Sequence, residues 1–273
     1  MSRSDDVARI EAALAEAAVV LRDFTPGAIE ASRKQGGDPV TAADTAINEV
    51  LLAALPRAGE GWLSEESADD ESRLSSSRVW VVDPLDGTRE FVEGIPEWCV
   101  SVGLVEDGVP VAGGILAPST DRLILGALGV GVTLNGGLAR ARVRTSLEGA
   151  EVLASRSEVK RGEWERFAGA AFHVVPCGSV ALKLGLVAAG LTDATWTLVP
   201  KHEWDVAGGA ALMLAAGGRV WGLDGKLPRF NRPVPKLEGF LASPAGLVPE
   251  VGRVTGYPLR AQSGEAIVAG EVS

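Results

Sequence analysis

Cysteine is scarce in this chain: Cys99 and Cys177 are the whole complement among 273 residues. They stand far apart with no CxxC, which argues against a disulfide framework and a cysteine-based zinc site, and fits a reducing cytosol. Basic residues are also short. Lys+Arg number 26 against 36 Asp+Glu, a net charge of −10, so the basic stripe of a nucleic-acid-binding surface is missing. A small anionic substrate remains compatible with that balance if a bound cation reverses the local field. Long apolar runs are absent too. The stretch after Met1 is broken by Glu11, Glu16 and Arg22, unlike a signal-peptide core, and no run approaches the ~18 apolar residues of a membrane span. The expectation is a soluble, cytoplasmic protein that partners neither nucleic-acid polymer nor membrane. Glycine-rich nucleotide loops are likewise missing. Gly129-Val-Gly131-Val-Thr-Leu134 lacks the third glycine, and no GxxxxGK[ST] occurs.

What is present reads as ordinary globular protein, 46% hydrophobic and 23% charged, enough for one large or two modest domains. Apolar residues recur at three- and four-residue steps from Asp5 to Phe24, predicting a helix capped by Asp5 or Asp6 and stopped by Thr25-Pro-Gly27. Lys34 to Pro39 reads as a loop, Thr41 to Leu55 as a second amphipathic helix capped by Thr41, and Glu71 to Arg78 as a serine-rich surface segment. Val79–Val82 is a buried-strand signature. Cys99–Val105 and Val109–Leu116 form a hairpin across Glu106-Asp-Gly108, and Arg122–Ala127 and Gly131–Leu134 are short strands before an Asn135-Gly136 turn. Beyond about Leu147 strands and helices alternate: strand Glu151–Ala154, helix Trp164–Ala170, strand Phe172–Val175, helix Val180–Ala189, strand Ala194–Leu198 and helix Asp205–Ala216. An α+β half of residues 1–146 joined to an α/β half of 147–273, stacked in layers, is the expected organisation.

The densest chemical signal is Trp80-Val-Val-Asp83-Pro84-Leu85-Asp86-Gly87-Thr88-Arg89-Glu90-Phe91. A buried strand runs into two carboxylates three residues apart, then into Gly-Thr opening a helix. Strand ends of this type line crevices, and a helix start attracts anions. Two unscreened carboxylates ~4 Å apart repel by roughly 4 kcal/mol at an effective dielectric of 20, so acids beside an anion site call for a divalent cation between them. Oxygen donors of this kind suit Mg²⁺ with phosphate as shared ligand. The plain alternative is a strand end with an Asp turn. An EF-hand does not fit, because its glycine and glutamate positions hold Thr88 and Gly94; nor does the DxDGT of haloacid-dehalogenase-type phosphatases, which needs an acid at Pro84. Two further clusters have bland readings of their own. Ser64-Glu65-Glu66-Ser67 fits a solvated surface, and His202-Glu203-Trp204-Asp205 fits an N-cap.

Taken together these segments resemble the inositol monophosphatase superfamily of Mg²⁺-dependent, lithium-sensitive phosphatases. Its pattern, GEES, then W-(V/I)-(V/I)-D-P-(L/I)-D-G-T-x-x-F, then W-D-x-A-x-G and A-G-G, reads here as Ser64–Ser67, Trp80–Phe91, Trp204–Gly209 and Ala216–Gly218, in the same order. Asp38-Pro-Val-Thr41-Ala-Ala-Asp44 and Cys177-Gly178-Ser179 are similar to two further family elements. The one departure is Ser64 in place of the usual glycine; it touches no proposed ligand. The resemblance spans roughly residues 5 to 220. It implies a five-layer αβαβα sandwich of the inositol monophosphatase/fructose-1,6-bisphosphatase type, a homodimer, and a small phosphorylated substrate. It implies that Glu65, Asp83, the Leu85 carbonyl, Asp86 and Asp205 hold two or three Mg²⁺, that the Gly87 and Thr88 amides hold the phosphate, and that Thr88 and Glu65, with Asp44 nearby, orient the attacking water. Most ligands would then come from residues 1–146, with Asp205 and the substrate contacts from 147–273.

Within the superfamily, Thr88-Arg89-Glu90-Phe91 looks like the T-K-E-F of 3′(2′),5′-bisphosphate nucleotidases, whereas inositol monophosphatases show T-T-N-F. Gly178, Ser179 and Lys183 also resemble that branch. Lys183 is expected either to pair with a second phosphate or to be a plain helix-surface lysine. Inositol monophosphatases commonly carry an acid seven residues before the Trp-Asp aspartate to bind ring hydroxyls. A gap-free count from Asp205 puts Leu198 there; a leucine favours a purine or ribose face over a polyol, the plain alternative being a strand residue that faces the core. The leading expectation is hydrolysis of adenosine 3′,5′-bisphosphate to AMP and phosphate. The alternatives are inositol or another sugar monophosphate, and a non-catalytic metal- or nucleotide-binding homologue.

Overall fold

The structure is a computed structural model and describes residues 2–33, 39–69 and 71–260. The expected loop at Lys34 to Pro39 falls largely outside these. The chain opens with α1 (Arg3–Leu21), a small antiparallel pair β1 (Ala31–Arg33) and β2 (Pro39–Thr41), and α2 (Ala42–Ala54). Ser2, not Asp5 or Asp6, caps α1: its hydroxyl accepts from the Asp5 N–H, and Asp5 reaches back to the Ser2 N–H. Asp6 is buried instead and receives Arg78 at 2.6 Å. Thr41 caps α2 as expected, with Asp44 closing the capping box.

Seven strands follow as one sheet in chain order: β3 (Glu60–Ser64), β4 (Arg78–Asp86), β5 (Cys99–Glu106), β6 (Val109–Ala117), β7 (Arg122–Ala127), β8 (Gly131–Leu134) and β9 (Gly137–Ala139), with the short α3 (Thr88–Glu93) after β4. Asn135 and Gly136, both at positive φ, make the turn between the last two strands. The serine-rich segment is not all surface. Arg73 in its 3₁₀ turn is 1% exposed and bonds Asp69 and Asn231.

The rest alternates: β10 (Glu151–Ser155), α4 (Arg156–Lys160), β11 (His173–Cys177), α5 (Val180–Ala188), β12 (Ala194–Thr197), β13 (Lys201–His202), α6 (Glu203–Ala215), β14 (Gly218–Gly222), β15 (Lys236–Leu237), β16 (Phe240–Pro244) and α7 (Val248–Thr255). A five-stranded sheet runs β11-β10-β12-β16-β14, parallel at β11-β10-β12 and antiparallel beyond. The helix expected at Trp164–Ala170 is only a 3₁₀ turn at Glu165–Phe167. Trp164, Phe167 and Phe172 all turn onto Trp196, a packing demand that a continuous helix would not meet, and Gly169 at φ 81° redirects the chain.

Strand alternation sorts the sheets into layers. Val79 and Val81 of β4 face a core shared with α5 and α6, while Trp80 and Val82 face α1 and α2. On the second sheet Leu153, Phe240 and Ala242 join the α5/α6 core, and Val152, Ala154 and Leu241 face the outer aromatic cluster with α7. The order is therefore helix, sheet, helix, sheet, helix, the expected αβαβα sandwich. The two sheets lie on opposite sides of residue 146 in the chain, and α5 and α6 pack between them.

Candidate active site

β3 and β4 are parallel, with Ser64 beside Val82, and the Glu65 N–H continues that ladder to the Val82 carbonyl. Glu65 is thereby brought level with Asp83, just past the last β3–β4 pair. The β4–β5 ladder slips between Asp83 and Asp86, and Asp83 folds back to accept from the Leu85 N–H at 3.0 Å. Gly87 then turns the chain at φ 95°; a Cβ there would also meet the Glu97 carbonyl at 2.9 Å, so glycine is required on both counts.

The third carboxylate comes from α6. Gly208 lies directly on β5 and β6: a Cβ on Gly113 would sit 2.2 Å from the Gly208 carbonyl oxygen, and one on Gly103 2.7 Å from its nitrogen. That close approach delivers Asp205, in the first turn of α6, to the β4 end, where its carboxylate also accepts from the His202 N–H. Carboxylate oxygens of Glu65, Asp83 and Asp205 all lie within 4.8 Å of one another. Burial, followed by the charges of Glu65, Asp86, Asp205 and Asp44, pushes the Asp83 carboxyl well above the usual range. Burial, Asp86 and Glu65 do the same to Asp205. Hard oxygen donors forced together at this cost fit a divalent cation of the Mg²⁺ or Ca²⁺ type.

Asp86 is held differently. One oxygen, Oδ2, accepts from the Ser179 hydroxyl and the Ala181 N–H, both at 2.6 Å, which leaves Oδ1 outside those bonds. Burial raises its pKa, opposed by these bonds and by the charges of Lys183 and Lys201. The Leu85 carbonyl accepts from Thr88 Oγ1 at 3.0 Å, and the same hydroxyl lies 3.1 Å from Asp44 Oδ1. Asp44 is fixed in turn by the Thr41 N–H and hydroxyl, at 2.8 and 2.7 Å.

A cavity of about 480 Å³ takes in Glu65, Asp83, Leu85, Asp86, Gly87, Thr88, Gly178, Ser179 and Asp205. Of the expected site residues, Asp44 stands behind Thr88 rather than on this surface. Lys183 is a correction: it is 2% exposed, does not line the cavity, and its Nζ donates to the carbonyls of Cys177, Gly178 and Ser179. It is not a surface lysine but fastens the segment whose Ser179 grips Asp86. Ser64 also does more than expected. Its hydroxyl donates to Asn48 Oδ1 at 2.7 Å and accepts from the Glu66 N–H, tying the Glu65 turn to α2. Sequence reasoning missed Arg161, Lys201 and His202, which line the cavity, and the stacking of His202 on Trp204 at 4.4 Å. A lysine four residues before the key aspartate was the available signal. Leu198 packs with the outer aromatic cluster, in a separate pocket of about 240 Å³ that it lines with Trp164, Phe167 and Trp196 and with the charged Glu158, Glu163 and Arg166.

Comparison with known proteins agrees with this geometry. An inositol-1-monophosphatase of Mesorhizobium japonicum is 34% identical over 226 residues, 79% of this chain and 84% of that protein. A 3′-phosphoadenosine 5′-phosphate phosphatase of Mycobacterium bovis is also 34% identical, over 223 residues, covering 76% and 78%. The crystal structure of the extragenic suppressor protein suhB from Bartonella henselae superposes with a TM-score of 0.75 at 28% identity, covering 93% of this chain and 98% of that one. No helix among the described residues is long and apolar enough to cross a membrane. With the inositol monophosphatase family model matching residues 3–256, the chain belongs to the inositol monophosphatase family of phosphatases.

Proposed function

We propose that this chain hydrolyses adenosine 3′,5′-bisphosphate to AMP and phosphate, using Mg²⁺ held by Glu65, Asp83, the Leu85 carbonyl, Asp86 and Asp205. The donor set, all carboxylate and carbonyl oxygen, fits that ion. When bound, Mg²⁺ supplies the positive charge that makes the phosphate electrophilic and a water acidic enough to attack it. The residues of the chain do the rest. Gly87 and Thr88 offer the first N–H groups of α3, which lie outside the helical ladder, to phosphate oxygens. Thr88, backed by Asp44, and Glu65 orient the water.

The observation that carries the substrate choice is the environment of Leu198. It offers no hydrogen bond to a polyol, and it lines a pocket next to the catalytic cavity that is walled by Trp164, Phe167 and Trp196 together with the charged Glu158, Glu163 and Arg166. The two are separated by the Glu158–Lys201 ion pair at 3.0 Å, Glu158 on the pocket side and Lys201 on the cavity side. A purine suits such a wall; ring hydroxyls lacking partners lose about 1–3 kcal/mol of discrimination. The Mycobacterium bovis relative, named for a nucleotide substrate, supports this reading, while the equally similar Mesorhizobium protein supports inositol 1-phosphate as the second one. Purified protein with Mg²⁺ should turn over adenosine 3′,5′-bisphosphate with kcat/KM at least ~10-fold above inositol 1-phosphate, about 1.4 kcal/mol in the transition state. Equal or faster hydrolysis of inositol 1-phosphate overturns the nucleotidase reading. No phosphate release from either one favours a non-catalytic binding protein.

A further inference from the structure

We infer that Lys201, anchored by Glu158, is the cation that recognises a second phosphate on the substrate. The inference rests on the phosphatase reading of the cavity, and it replaces Lys183, which the fold has turned inward onto backbone carbonyls.

Glu65, Asp83, Asp86 and Asp205 face the metal site and Glu90 adds a further acid to the wall, so a substrate phosphate away from the reaction centre needs a positive group of its own. The cavity offers Arg89, Arg161 and Lys201. Arg161 has a side chain 51% exposed and pairs with the half-buried Glu163 two residues on; an ion pair so close to solvent is worth little and fixes little. Arg89 is exposed on the short α3. Lys201 is different. Its side chain is 16% exposed, it sits in β13 immediately before the α6 turn that carries Asp205, and β15 braces it through the Lys201–Leu237 register.

The anchor is more restrained still. The Glu158 side chain is 2% exposed and reaches Lys201 Nζ at 3.0 Å from α4. Thr197 donates to the same carboxylate at 2.6 Å and the Trp164 indole N–H at 3.3 Å. A buried acid with three donors fixes the ammonium in one direction, and a lysine so fixed loses little rotamer freedom when an anion arrives. One face of that ammonium is tied to Glu158; the lysine otherwise lines the cavity, and its charge is felt by Asp86 and Asp205. It therefore lies within electrostatic reach of the reaction centre.

The test compares kcat/KM within two substrate pairs that differ by one phosphate: adenosine 3′,5′-bisphosphate against adenosine 3′-phosphate, and inositol 1,4-bisphosphate against inositol 1-phosphate. Wild type is expected to favour the bisphosphate in each pair, and Lys201→Met to lower that ratio at least ~10-fold, mainly through KM, or about 1.4 kcal/mol. Lys201→Arg should keep most of the ratio. Because Lys201→Met leaves Glu158 buried without its partner, the double variant Glu158→Gln/Lys201→Met is made in parallel. It has the same net charge as wild type, so a general field effect predicts no change, whereas an anchored phosphate reader predicts the same loss. A wild-type ratio near one, or a double variant with the wild-type ratio, overturns the inference. The choice between nucleotide and inositol pairs tests the substrate proposal separately, since the ratio within a pair does not depend on which pair is preferred.

Discussion

The Thr88 hydroxyl has one proton and two acceptors in reach, Asp44 Oδ1 at 3.1 Å and the Leu85 carbonyl at 3.0 Å. Given to Asp44, the proton leaves the oxygen lone pairs able to accept from a water, and Thr41 keeps Asp44 from turning away. Such alignment matters mainly in the transition state, so Thr88→Ala should lower kcat about 100-fold and change KM less than ~3-fold. A rise in KM with unchanged kcat would make Thr88 a phosphate anchor only. Asp83→Asn should abolish turnover yet leave the metal-free protein at least as stable, because it removes one of several charges that burial and proximity penalise. A melting temperature well below wild type in EDTA would mean that Asp83 is structural instead. At this scale the sequence was most informative where chemistry and spacing coincide, as at Asp83, Asp86 and Asp205. It misled at Lys183 because a helical lysine surrounded by apolar residues carries no sign of which backbone carbonyls it will cap. Lys201 went unread because its meaning depends on Glu158, forty-three positions earlier and on another element.

Elements are positioned by two devices of opposite character. On the outer face an ion network joins α1, β3, β4 and β5: Glu60 accepts from Arg9 at 2.6 Å, the Trp80 indole at 2.9 Å and Arg78 at 3.2 Å, while Arg78 also meets Asp6 and Glu106. Burial alone would raise the Glu60 carboxyl, but the bonds from Arg9, Trp80 and Arg78 outweigh it and lower it to about 2. A depressed carboxyl stabilises the fold above its ordinary value of 4.5, and that contribution is lost as pH falls from 4.5 towards 2. Glu60→Gln should therefore cost about 3 kcal/mol near neutrality and flatten the acid limb of the stability curve; an unchanged limb would exclude Glu60 as its source. On the inner face the device is absence of side chains. Gly113→Ala would drive a methyl into the Gly208 carbonyl, displacing α6 and Asp205 with it. We expect kcat to fall at least ~10-fold and stability by about 1–3 kcal/mol, the latter typical of overpacking. Unchanged kcat would mean that Asp205 tolerates the shift. The β5/β6 hairpin was legible because alternation and the Asp-Gly turn are local. The aromatic segment at Trp164 was not, since Trp196 and Phe172, which decide its shape, arrive later in the chain.

For the molecule as a whole, a net charge of −10 is compounded by five acids drawn to one cavity, Glu65, Asp83, Asp86, Glu90 and Asp205. The layered fold brings them together by packing α6 between two sheets, so apolar burial works against carboxylate repulsion. The layers themselves were readable from alternating strands and helices up to about residue 220. The strands β14 and β16 and helix α7 were not assigned, because short apolar runs after Gly217-Gly218 give no period long enough to separate strand from helix. The conflict between packing and charge predicts how stability responds to cations. Asp83, Asp86 and Asp205 all have raised pKa values without metal, so above pH 3.8 these three groups hold protons in the cation-free fold that the unfolded chain has released, and their contribution to stability falls as pH rises. Mg²⁺ competes with those protons and removes the repulsion, so its effect should grow with pH. At about 100 times its Kd, Mg²⁺ should add about 2.7 kcal/mol, or roughly 5–10 °C in Tm, near pH 8. The gain near pH 5 should be smaller, and Asp205→Asn should reduce it at both. Thermal melts in EDTA and in Mg²⁺ at the two pH values read this directly. A Tm indifferent to Mg²⁺ at pH 8 would mean that the acids are balanced by the protein alone, and the metal-dependent mechanism would fall with that result.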